Sequence, residues 1–338
     1  MLFRSITWTW TDNSAAESGY KVWADSGASA PTALRTTTAA GVASWQHNSL
    51  SPNAQYSFQA AATNGAGDSA KTTTYSAWTL AAVPVAPVVN NPTISTLDVA
   101  IGSGDGNSTP TVYAIYCPTA LQWVQTGGAL GASAAWQTAA AWGTRTVTGL
   151  AGGTQYSFAT CTRNGSGVET ANGPSAVGYT QCTLTYSAGA YGSITGATPQ
   201  TVNYGEDGTA VTAVATAGYT FINWSDASTE NPRTDTGVTG DITVTALFAD
   251  ITPPTSSLAP LTDATLASNT VHLPFTADDT GSGADSTELW VKAPGADEFV
   301  YSGLTEPPII GPARHIFPAG RGDRKSTTSE LQSRQSIS

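Results

Sequence analysis

The sequence predicts an all-β fold, a series of β-sandwich modules carried on 338 residues. Three observations predict it. The length exceeds what one ordinary core holds and suits three or four modules of about 100 residues each. Only 11% of residues are charged, Thr, Ser, Ala and Gly dominate, and 10 Trp and 12 Tyr supply large apolar surface. That mix fits half-buried strands with small polar outer faces. Finally, LSPNAQYSFQAAATNGAG (Leu50 to Gly67) returns as LAGGTQYSFATCTRNGSG (Leu150 to Gly167), an offset of 100 residues, so two modules share one plan.

The first module is read over residues 6–80. It opens on ITWTWTDNSAAESGYKVWADSG, where Ile6, Trp8 and Trp10 alternate inward, followed by Tyr20 and Val22. In each copy of the repeat a Leu lies six residues before a Tyr, across a corner containing Pro or Gly. An alternating strand follows: Tyr56, Phe58, Ala60, Ala62 in one, Tyr156, Phe158, Thr160, Thr162 in the other. Each strand closes on Asn-Gly-x-Gly, a turn signal that admits positive φ. This pattern resembles the fibronectin type III family, closely in the first module and more loosely in the second, where Thr160 and Thr162 replace apolar residues. The resemblance implies that the tyrosine hydroxyl reaches back to backbone at the corner. It also marks the family's first strand as missing from the first module, as a cut inside that module would leave it.

Residues 81–92, AAVPVAPVVNNP, read as a Pro- and Val-rich linker, extended and stiff because three positions lack an N–H. The second module covers 93–182 and carries a long excursion from Gln122 to Trp142 with Trp123, Trp136 and Trp142. Planar aromatics can stack on sugar rings, so Trp123 and Trp142 are the carbohydrate-stacking candidates, against the plainer reading that they pack over the sandwich edge.

Over 183–249 the pattern shifts to short alternating pieces closed by Gly or Asp. The run Gly218-Tyr-Thr-Phe221-Ile-Asn-Trp224-Ser with Ala246-Leu-Phe248-Ala249 resembles the internalin-type B-repeat, which implies a small grasp-like β repeat module of structural or adhesive character. Residues 250–310 open on D-I-T-P-P, carry D-D-T-G-S-G and run into E-L-W-V, which resembles bacterial immunoglobulin-like domains. A sandwich of that kind needs about 100 residues, so this one is expected to be truncated.

Residues 311–338 are read as a non-native or disordered tail. The stretch Asp323 to Ser338, DRKSTTSELQSRQSIS, resembles a translated sequencing adapter, and Leu2 to Ser5 matches the end of the opposite one, so the native chain is expected to be cut at both ends. The tripeptide Arg321-Gly322-Asp323 then owes its last residue to the adapter and carries no adhesive role.

The residues that carry chemistry are few. None of His47, His272 and His315 sits in a metal-ligand spacing, and no nucleophile elbow, phosphate loop or dinucleotide fingerprint is present. His47 reads as a packing residue. The turn with Asp278, Asp279, Asp285 and Ser282 is the one calcium candidate, although Asp also favours turns for local backbone bonding. No cofactor is expected. Parity sets Cys117 inward and Cys161 outward, which rules out a bridge between them. Whether Cys161 meets Cys182 stays open.

The balance of 13 basic against 24 acidic side chains leaves a net charge of -11, which repels phosphate backbones, so nucleic acid is excluded as a partner. No stretch of about 20 apolar residues is present to span a bilayer. The resemblances imply a non-catalytic structural or adhesive segment of a secreted or cell-surface bacterial protein, built of monomeric modules, with a protein or polysaccharide as ligand. The alternative is a spacer or carbohydrate-binding arm of a secreted hydrolase whose catalytic domain lies outside this chain.

Overall fold

The computed structural model describes residues 4–108, 111–258, 270–278, 286–291, 297–306, 313–318 and 331–336. The chain divides into two compact units. One comprises Met1–Thr185, Pro199–Thr209 and Thr234–Ile242; the other comprises Tyr186–Thr198, Ala210–Arg233 and Thr243–Ser338.

The first unit begins with a sandwich of seven strands: β1 (Ile6–Thr9), β2 (Gly19–Ser26), β3 (Leu34–Thr37), β4 (Ser44–His47), β5 (Gln55–Asn64), β6 (Gly67–Asp68) and β7 (Tyr75–Trp78). One layer is the antiparallel pair β1–β4; the other runs β3-β2-β5-β6, with β7 also on β5. The alternation of inward residues in β1 and β5 sets the core between the layers. Trp8 from β1 stacks on Phe58 from β5 at 4.9 Å between ring centroids, and Trp10 lies 5.5 Å from the same ring. Val22 and Ala60 complete this buried set. His47 is half-buried, stacked on Trp45 at 4.8 Å and edge-on to Tyr56 at 5.3 Å. Burial, and then the Arg35 charge, push its pKa down. It is a packing residue.

The second sandwich has β8 (Val88–Asn90), β9 (Leu97–Ala100), β10 (Val112–Cys117), β11 (Gln122–Val124), β12 (Leu130–Gly131), β13 (Gln137–Thr138), the short helix α1 (Ala139–Trp142), β14 (Thr144–Val147), β15 (Gln155–Arg163) and β16 (Ala176–Tyr179). Its layers are β14-β9-β8 and β12-β11-β10-β15-β16, with β13 on β10. The core gathers Leu97, Val99, Ile115, Val147 and Phe158 around Trp142. Thr138 caps α1 by accepting from Ala141 N at 3.2 Å, and Gly143 ends it at φ 54°.

In both sandwiches the tyrosine hydroxyl closes the corner ahead of its strand. Ser51 N donates to Tyr56 Oη at 3.0 Å, and Ala151 N donates to Tyr156 Oη at 3.0 Å. Replacing either tyrosine with Phe strips a partner from a corner amide, so Tyr56→Phe and Tyr156→Phe each lower the stability of their own sandwich by about 0.5–1.5 kcal/mol, measured by urea unfolding followed on module-specific resonances.

Two features of this unit go beyond the sequence reading. The stretch read as an extended, stiff linker is docked: Ala81, Ala82, Pro84 and Pro87 are buried, and Val88–Asn90 within it is β8, paired with β9 from Val88↔Ala100. Proline removes donors but leaves every carbonyl, and those of Ala82 and Val85 accept from Thr162 Oγ1 at 3.0 Å and Thr160 Oγ1 at 3.3 Å. Cys161, placed outward by parity, is only 2% exposed, as its cross-strand partner Ala114 is 0% exposed. Both faces of β15 are covered there.

Cys117, Cys161 and Cys182 are all free and buried. Burial raises each thiol pKa, and for Cys161, with the Glu169 charge adding to it, the value is pushed up to about 11. A thiol that is protonated at neutral pH and out of reach does not react. A colorimetric thiol reagent should therefore titrate none of the three in the native chain and all three in guanidinium.

The unit also holds the start of β17 (Cys182–Ala188), which pairs with β19 (Gln200–Val202) through Cys182↔Val202 and Leu184↔Gln200; between them in sequence lies β18 (Gly192–Thr195). In the second unit, β18 pairs with β20 (Thr212–Ala215), and β21 (Tyr219–Trp224) pairs with β22 (Ile242–Asp250). Trp224 is wholly buried, its Nε1 donating to Glu230 O at 2.9 Å, with Tyr186 and Phe221 edge-on. Beyond it come β23 (Thr255–Leu258), β24 (Thr270–Asp278), β25 (Ser286–Val291), β26 (Val300–Glu306), β27 (Ala313–Pro318) and β28 (Leu331–Ser336), in the orders β23-β24-β27 and β26-β25-β28. Within 311–338, read from the sequence as a non-native or disordered tail, the described residues 313–318 and 331–336 are the paired strands β27 and β28. Backbone pairing at an open sheet edge does not depend on side-chain identity.

Candidate functional site: the module junctions

The most elaborate polar construction in the described residues is the contact between the two sandwiches, both parts of the first unit. Asn53, at the corner before β5, has φ 48°, a left-handed conformation that Asn tolerates. It is 6% exposed and reaches across in two directions. Its Nδ2 donates to Thr111 Oγ1 at 2.7 Å, and its Oδ1 accepts from Gly165 N at 2.9 Å. The second sandwich answers with Asn164, 5% exposed, whose Nδ2 donates to Thr79 O at 3.1 Å. Asn107 grips the backbone of Ala82 from both sides, accepting from Ala82 N at 2.7 Å and donating to Ala82 O at 2.9 Å. Ser108 Oγ donates to Asn53 O at 3.2 Å.

The steric half of the junction is Trp78 on Gly165. A Cβ at position 165 would fall 2.3 Å from the Trp78 ring, so only glycine lets the indole lie there. Buried amides that are fully partnered fix one geometry, because breaking any bond strands a polar group away from water. Beside the contact lies a cleft of about 260 Å³ lined by Arg4, Leu80, Val83, Val168 and Glu169.

The other end of the second sandwich is tied as well, within the same unit. Gln181 N donates to Thr93 O at 2.9 Å, Gly153 N donates to Gln181 O at 2.9 Å, and Thr183 N donates to Asp241 Oδ1 at 2.7 Å. Tyr179 stacks on Tyr204 at 4.2 Å. Gly153, at φ 58°, sits where a Cβ would meet Gly240 Cα at 2.9 Å.

The sequence candidates fall elsewhere. Trp142 is 1% exposed, with Nε1 donating to Tyr113 O at 2.8 Å, and its ring lies inside the core; it offers nothing to a sugar. Trp123 is half-buried and packs on Tyr116 at 4.9 Å, and Trp136 holds the Arg163 guanidinium 4.7 Å over its ring. In the second unit the exposed Tyr191 stacks on Tyr219 at 4.2 Å and 7°, an aromatic surface the sequence reading missed. Of the calcium candidates, Asp278 ends β24, while Asp279, Ser282 and Asp285 lie outside the described residues, as does Arg321-Gly322-Asp323. Among the described residues no three His, Cys, Asp or Glu side chains come together.

The fold these residues define is a pair of antiparallel β-sandwiches in series, followed by further short paired strands. Residues 182–252 match the Divergent InlB B-repeat domain family. Among solved structures the chain is similar to a two fibronectin type-III domain segment from chicken tenascin, at 14% identity over 53% of this chain and 94% of that one, TM-score 0.37. It is also similar to the FN1–FN3 domains of chicken CNTN1, at 18% identity over 52% of this chain and 62% of that one, TM-score 0.24. No curated protein matches it. In the described residues no helix is long and apolar enough to cross a membrane.

Proposed function

We propose that this chain is a non-catalytic spacing segment of an exported bacterial surface protein, which holds a binding region at a set distance and angle. The observation that carries the reading is the junction itself: the Asn53 and Asn164 amides are committed to the neighbouring module's backbone and hydroxyls, and the Asn107 amide to the Ala82 backbone between the two modules. A catalytic pocket gathers converging titratable groups; here the buried polar side chains go into orientation instead. The B-repeat match over residues 182–252 supports an extracellular setting.

A spacer of this design tumbles as one body. Backbone 15N relaxation on the full chain should give the same rotational correlation time for amides of β5 and of β15. Two distinct times, each short enough for a free module of about 100 residues, would sink the reading.

A further inference from the structure

The loop and turn that form the pole by which the second sandwich grips the first have counterparts, built on the same Tyr–Asp pairing, on the far pole of the first sandwich. In the second sandwich Tyr113 Oη donates to Asp105 Oδ2 at 2.8 Å and Asn107 N donates to Asp105 Oδ1 at 2.9 Å, which folds the loop that carries Asn107. In the first, Tyr20 Oη donates to Asp12 Oδ1, and Ser14 N donates to the same oxygen at 3.0 Å. The register agrees, since Tyr20 pairs with Ala62 and Tyr113 with Thr162. Two residues before each tyrosine stands a hydroxyl, Ser18 or Thr111. The turn after the long strand repeats too: Asn64 Oδ1 accepts from Ala66 N at 2.9 Å, as Asn164 Oδ1 accepts from Ser166 N at 3.1 Å.

Ser14, Ser18, Asn64 and Gly65 therefore occupy the places of Asn107, Thr111, Asn164 and Gly165. The difference lies in cover. Asn164 is buried by the neighbour, whereas Ser18, Asn64 and Gly65 are exposed and a Cβ at Gly65 would meet nothing within 4 Å. Ser18 Oγ and Asn64 Nδ2 turn back to the Thr63 and Ala16 carbonyls, at 3.0 and 3.3 Å.

We infer that this pole is a docking surface for one kind of partner: a fibronectin-type module joined ahead of Ile6, with a left-handed Asn at its corner and a Trp closing its last strand. The inference rests on the spacer reading above and extends it to a further junction. A second copy of this chain is a poor occupant. Its own Asn53 and Trp78 are already engaged, and its second sandwich carries Gly153 at the corner where Asn53 stands in the first.

The test converts one pole into the other within the full chain. Asn107→Ser with Thr111→Ser gives the second sandwich the polar set of the first, and hydrogen exchange at the Gly165 amide reports whether that set still holds a module. Protection at Gly165 within about threefold of the parent supports the inference, and exchange at the open rate overturns it. In a second arm, a copy of residues 6–96 is inserted between Ser5 and Ile6, with isotope label confined to the original segment. Gly65, exchanging freely in the parent, should slow by about tenfold or more and should be released again by Asn53→Gly in the added copy. A Gly65 that stays open while Gly165 is protected overturns the docking surface alone. A Gly165 that is open in the parent chain overturns the spacer reading beneath it.

Discussion

Trp142→Ala costs the second sandwich about 3–5 kcal/mol, a large share of what a module of this size has. The indole is 1% exposed and forms the centre of a core that includes Leu97, Ile115, Val147 and Phe158. Truncation leaves a cavity that the two layers cannot close, since each is held by its own ladder. It also leaves Tyr113 O without the Nε1 donor it now has at 2.8 Å. Denaturant unfolding followed at second-module resonances measures the loss, with Trp123→Ala as the contrast. Trp123, on β11 of the same sandwich, is only half-buried, so its truncation costs about 1 kcal/mol. Loss of polysaccharide binding by Trp142→Ala at unchanged stability would contradict this account.

The alternation of inward residues carried the core of both sandwiches: Trp8, Val22, Phe58 and Ala60 in one, Ile115, Cys117 and Phe158 in the other are all buried. The tyrosine corners were legible for a local reason, because Leu, corner and Tyr lie within seven residues and the hydroxyl bonds a backbone amide that any sequence supplies. Parity, however, states only which face a residue takes. It cannot say whether the outer face is covered, and so Cys161 was placed outward where it is buried. Trp142 was read as a sugar-stacking candidate against the plainer reading that it packs over the sandwich edge; it packs, but deeper than either reading placed it, because α1 turns it into the core.

The junction was the least legible part, although its residues lay in plain view. Asn164 reads as part of a turn signal and Asn53 lies unremarked in a corner read from its proline; what the sequence withholds is that both side-chain amides reach across to the other module. The docked 81–92 segment escaped for a similar reason. Missing proline donors indicated stiffness and extension but not docking; its carbonyls are the atoms the second sandwich uses.

Gly165→Val separates the two sandwiches while leaving each folded. The glycine does not lie in the left-handed region, so its own backbone accepts a side chain; the obstacle is the Trp78 ring, 2.3 Å from where the new Cβ would sit. Contacts below 3.0 Å force a shift, and a two-ring side chain wedged between modules has no small one to make. Moving Trp78 aside draws Asn53 off Gly165 N and Thr111 and draws Thr79 O off Asn164. Three hydrogen bonds at about 0.5–1.5 kcal/mol each put the loss near 2–4 kcal/mol, enough to populate the open state. The expected result is two correlation times in place of one, fast exchange at residue 165, and an unfolding midpoint for the first sandwich close to that of the parent. Gly65→Val is the matched control, because the equivalent position has open space above it. In the parent chain it should change neither tumbling nor stability by more than about 0.5 kcal/mol. Equal behaviour of the two variants would mean that Trp78 on Gly165 does not hold the junction, and that the side-chain amides carry it unaided.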